Sequence, residues 1–103
     1  MPTFRMWVPN RRGRAPLHFF SPAINANSVV HVSASEATGL GPPLIGGGQN
    51  FSTNFGSASI TVQNISVREG AVDFNVFVDW PTPLNVVTDI TIMEPPAQVV
   101  IGT

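Results

Sequence analysis

Apolar and polar residues alternate with a period of two along most of this chain, the mark of strands that lay one face on a core. The pattern is most legible over residues 57–93. Val72, Phe74, Val76, Val78 and Trp80 occupy successive even positions, while Asp73, Asn75 and Asp79 face the other way. Phe77 is the apolar exception on that polar side. Leu84, Val86, Ile90 and Ile92, with Thr88 among them, form the next apolar face. Asn85, Val87, Asp89, Thr91 and Met93 oppose them. Upstream, Ala58, Ile60 and Val62 keep even numbers and Ile65 and Val67 odd ones. A change of phase inside a strand is what a β-bulge produces, and it falls at Gln63-Asn64. Arg68-Glu69-Gly70 supplies a tight connection with a glycine free to take positive φ, so the strands on either side should form a hairpin. Trp80-Pro81-Thr82-Pro83 ends the second of them, because proline has no N–H for a central ladder, and the strand that follows is expected to lie adjacent, so that Phe77 and Val87 interrupt the polar face of neighbouring strands.

The rest of the chain is less regular. Residues 3–8 alternate, with Phe4, Met6 and Val8 on one face and Arg5 and Trp7 on the other; Pro2 and Pro9 bracket them and mark an edge strand. Residues 10–16 read as a turn or exposed loop, 17–20 as a short strand and 21–27 as turn chemistry. Residues 28–34 read as a strand, Val30 and Val32 against Val29 and His31. Residues 36–56 are dense in glycine and proline and are expected to form a long loop. Within it, Leu44, Ile45, Phe51 and Phe55 either pin the loop to the domain, form an irregular strand near 50–55, or reach a partner. Residues 97–101, AQVVI, supply a last short strand. No window shows the i, i+3, i+4, i+7 pattern of an amphipathic helix. The expected architecture is one domain, residues 1–103, with an all-β fold. Its strand rhythm predicts a two-sheet antiparallel β-sandwich, Ig-like or jelly-roll-like, of about seven short strands.

Composition bears on association. Charged residues make up 11% of the 103 positions, and there is no lysine. Arg5, Arg11, Arg12 and Arg14 form a basic cluster at one end, and Arg68 is the one later cation. All six acids lie beyond that cluster. So little charge gives weak electrostatic protection against association. The basic end is expected to pair with the acidic remainder, within the fold or between subunits. A pI near 6.0 argues against a dedicated nucleic-acid domain. With no cysteine, disulfides and thiolate metal sites are excluded. The first residues lack the apolar core of a signal peptide, and no run reaches the length of a membrane span. The expectation is therefore no membrane contact and, by default, the cytoplasm.

Candidate chemistry is sparse. His18 and His31 have no acid near them in sequence and no ligand-spacing motif, so both read as structural. Gly46-Gly47-Gly48 lacks the lysine and helix of a phosphate loop and reads as a hinge. There is no G-x-S-x-G elbow. Asp73, Asp79 and Asp89 offer paired carboxylates only if brought together; their strand positions place Asp73 and Asp79 on a solvated face. No catalytic residue, metal or cofactor is expected. Trp7, Phe77, Val87 and Met93 each lie opposite their own strand's apolar face, which marks an interface or a ligand platform unless a face is inverted or covered by a loop. The expected function is that of a non-enzymatic subunit, self-associating into a homo-oligomer or assembling with a partner protein. The alternative is a small lectin-like carbohydrate binder, with Trp7 or Trp80 as the stacking ring and Asn, Asp and Thr side chains as hydrogen-bond partners.

Overall fold

A computed structural model of the chain describes residues 2–39 and 51–102. Among the described residues it is all-β, with seven strands in two antiparallel sheets and no helix, hence no helix long and apolar enough to cross a membrane. The first sheet has the order β1 (Thr3–Arg11), β7 (Leu84–Met93), β3 (Val29–Gly39), β4 (Phe51–Asn54). The second has the order β2 (Gly13–Phe20), β6 (Ala71–Asp79), β5 (Ser59–Arg68). One buried cluster draws on both sheets. It joins Val8, Val30, Val86, Ile90 and Ile92 of the first to Leu17, Val72, Phe74, Val76 and Val78 of the second. These are the apolar faces that the period-two pattern marks. Thr88 is fully buried among them, its hydroxyl donating to the Met6 carbonyl at 3.4 Å.

The bulge and the hairpin stand where the pattern places them. The β5–β6 register shifts between Gln63 and Ser66, and Asn64 takes φ 55°. Arg68 pairs with Ala71 across a turn in which Gly70 takes φ 79°. That tip is tied down. The Gly70 N–H donates to the Ile24 carbonyl at 2.9 Å, and the Ser21 N–H donates to the Gly70 carbonyl at 3.0 Å. The 21–27 turn thereby carries Ile24 into the core, a burial that no strand periodicity announces.

Several expectations are corrected. Residues 10–16 are not a loop. β1 continues to Arg11 and β2 starts at Gly13, so the chain passes from the edge of one sheet to the edge of the other almost without interruption. Asn10 (φ 59°) and Gly13 (φ 66°) make the bend through left-handed backbone. Pro9 and Pro16 are tolerated because both strands are edges. The 36–56 loop is narrower than expected, and the strand expected near 50–55 is present: Glu36 to Gly39 pair with Phe51 to Asn54, and the Asn54 side-chain amide donates to Glu36 Oε2 at 2.6 Å. Leu44, Ile45 and Gly46-Gly47-Gly48 lie outside the described residues. Phe55 is fully exposed. The run 80–83 does not return the chain beside β6. It carries the chain to the centre of the other sheet, so β6 and β7 are not neighbours. Finally, residues 97–101 form no strand. They extend past β7 with Val99, Val100 and Ile101 at 86%, 71% and 95% exposure.

Candidate functional site

The four residues expected to mark an interface do not form one patch. Trp7 and Val87 are direct cross-strand partners in the first sheet, and Ser35 flanks Val87 on its other side. Val87 is 1% exposed, which corrects its reading as a surface residue. It lies on an inner strand of its sheet, paired with Trp7 on one side and Ser35 on the other. Trp7 is half-buried. Met93 is half-buried opposite Val29 and lines a small cavity of about 150 Å³ with Pro2, Ile92 and Pro95. Phe77 belongs to the other sheet. It lies between Arg14 of β2 and Thr61 of β5, and is 39% exposed.

Phe77 has company. The crossing from β1 to β2 brings Arg12 and Gly13 to the end of β6, where Phe77, Val78, Asp79 and Trp80 complete an open groove of about 430 Å³. Trp80, read from the sequence as the last of the even-numbered apolar row and alternatively as an exposed stacking ring, stands just past the last residue of β6 and is 38% exposed. Its even position continues the core face in number only, because the strand stops at Asp79. Arg12 and Arg14 make no ion pair among the described residues. The groove thus combines two exposed aromatic rings, one carboxylate and one arginine, with Arg14 beside Phe77 in the neighbouring strand.

The basic cluster is divided. Arg5 grips Asp89 on the first sheet through two bonds, Nε to Oδ1 at 2.7 Å and Nη2 to Oδ2 at 2.9 Å, a bidentate geometry that holds the guanidinium pKa above its ordinary value. This pair brings the basic end to an acid within the fold. Arg11 donates to the Pro9 carbonyl at 3.0 Å.

A second constellation escapes the sequence reading. The β2–β6 register sets His18 opposite Asp73, and His18 Nδ1 lies 2.6 Å from Asp73 Oδ1. Arg68 Nε donates to Asp73 Oδ2 at 2.8 Å, and its guanidinium carbon sits 5.5 Å from the Phe20 ring centroid. The hydrogen bonds from Arg68 and then His18 hold the Asp73 carboxyl down at about 2, well below the usual carboxylate range. Ser66 is the β5 partner of Asp73. The row therefore runs histidine, aspartate, serine, with the acid in the middle, whereas a base-activated serine needs the histidine between them. His18 and Asp73 are 55 positions apart. Only their shared outward parity hints at the contact, and the pairing of β2 with β6 was not legible. His31 stands exposed opposite Thr91 on the other sheet. Among the described residues no three His, Asp or Glu side chains gather in a way that could hold a metal ion.

Comparison with protein-family models, curated proteins and solved structures found no match.

Proposed function

We propose that this chain is a non-enzymatic structural subunit that self-associates or assembles with a partner protein, its two sheets stacked as a β-sandwich. The stacking is supported by the single buried cluster to which the inward positions of both sheets contribute. The observation that carries the functional reading is the large apolar surface left in water on a weakly charged chain. Phe77 and Trp80 share one groove, Phe20 is 68% exposed on the same sheet, and Val99 to Ile101 are more exposed still. Exposed rings beside arginines, with few competing charges, are the composition of contact surfaces. Sedimentation velocity over a wide concentration range tests the reading. The sedimentation coefficient should rise with concentration, and a monomer boundary at every concentration would overturn it.

The groove favours one second reading, a carbohydrate-binding module. Trp80 and Phe77 provide faces on which a sugar ring can stack, and Asp79 and Arg12 provide planar hydrogen-bonding groups beside them. Tryptophan fluorescence titrated with a panel of neutral and acidic oligosaccharides should shift through Trp80. An unchanged spectrum across the panel would count against this reading.

A further inference from the structure

The two sheets have four edge strands between them, and three carry the usual protection against pairing with another chain. β1 contains Pro9, Arg5 and Arg11; β2 contains Pro16 and Arg14; β4 is four residues long. β5 differs. From Ser59 to Val67 it has neither proline nor charge. Its bulge disturbs only the stretch between Gln63 and Ser66, so residues 59–63 form a regular, uncharged edge. Ile60 and Val62 point toward the core there, yet both are only partly buried. The core is incompletely covered along that edge, and the backbone groups on the side away from β6 have no ladder partner among the described residues.

The same chain carries a segment of matching chemistry. Residues 97–101, AQVVI, are five long, uncharged and rich in β-branched side chains, and form no strand of their own. If extended, the segment would place Val99 and Ile101 on one side and Val100 on the other. We propose that residues 97–101 of one copy add as a strand to residues 59–63 of β5 in a second copy, extending its sheet to β2-β6-β5-tail. This deepens, and rests on, the proposal of self-association. Val99 and Ile101 would cover the open flank of Ile60 and Val62, with main-chain bonds supplying the rest of the contact. In either strand direction Thr61 then lies beside Val100 on the outer face, because each is flanked by the inward pairs. Donor and acceptor are different surfaces, so the contact closes if two copies exchange tails and otherwise continues from copy to copy.

The chain has no cysteine, which makes disulfide trapping clean. Thr61→Cys and Val100→Cys variants, purified separately and mixed under mild oxidation, should give a cross-linked heterodimer. A Ser33→Cys variant on the first sheet, mixed with Val100→Cys, should give only background. Full chain and a chain ending at Pro96 are compared in parallel by sedimentation. Losing the tail should weaken association by about a hundredfold or more, the scale expected from burying two aliphatic side chains. Cross-linking at the control level overturns the proposal, as does a shortened chain that associates like the full one. In the latter case self-association itself stands. A full chain that is monomeric throughout overturns both readings.

Discussion

The outward faces of the two sheets were built from the same alternation and ended differently. Val87 on β7 and Phe77 on β6 are both apolar residues at outward positions of central strands. Val87 lies in a row with Trp7 and Ser35 and is lost from water, whereas Phe77 lies in a row with Arg14 and Thr61 and stays open. Exposure in a sheet is decided by the whole cross-strand row, and a strand's own parity supplies only which way the side chain points. The edges repeat the contrast. β1 bounds the first sheet with prolines and arginines, while β5 bounds the second with neither over residues 59–67. The proposed contact therefore lies on the second sheet.

Introducing a charge at each outward position separates the two sheets most sharply. Val87→Asp buries an unpaired carboxylate and should cost about 3–5 kcal/mol, enough to unfold much of a small domain. Phe77→Asp should change stability by less than about 0.5 kcal/mol, since it replaces an exposed ring beside Arg14. Denaturant midpoints of the two variants measure this, and equal effects would contradict the difference in burial between the two positions. Next in size is Gly70→Ala in the β5–β6 turn. At φ 79° a Cβ is strained, and the loss should be about 1–2 kcal/mol, read as a lowered urea midpoint with unchanged slope.

The electrostatic ties of the two sheets should matter less. Removing the Arg5–Asp89 pair by Arg5→Ala should cost about 0.2–1 kcal/mol, diminishing at high salt, because both partners are partly exposed. The Asp73 cluster of the second sheet has a definite pH signature. Its carboxyl titrates at about 2 in the folded chain, below its ordinary value of 3.8, so the folded state favours the ionised form. The stabilisation is fully present above pH 4 and is lost as pH falls through about 2. Asp73→Asn should flatten that limb of the acid-unfolding curve and lower stability near neutral pH by the amount the limb spans.

Local order was well marked in the sequence. The phase change at Gln63-Asn64, the glycine at position 70 and the even-numbered core of β6 each follow from period two and turn chemistry, which act over a few residues. Partnership between distant strands was not. Nothing in Trp80-Pro81-Thr82-Pro83 distinguishes a turn within one sheet from a passage to the other, so Phe77 and Val87 looked like neighbours. Arg11-Arg12-Gly13-Arg14 read as a loop because its glycine and charges do not reveal that two edge strands meet there. The His18–Asp73–Arg68 cluster was hidden for the same reason, since it depends on the register of β2 against β6. The AQVVI segment had strand composition and found no partner within the described fold, which is the mismatch that motivates the pairing between copies.

The most direct test of the claim that contact is made on the second sheet is amide hydrogen exchange of the full chain at low and high concentration. Raising the concentration should slow exchange in residues 59–63 and 97–101 and leave β1 and β7 unchanged. Slowing confined to β1 and β7, or no concentration dependence anywhere, would contradict it.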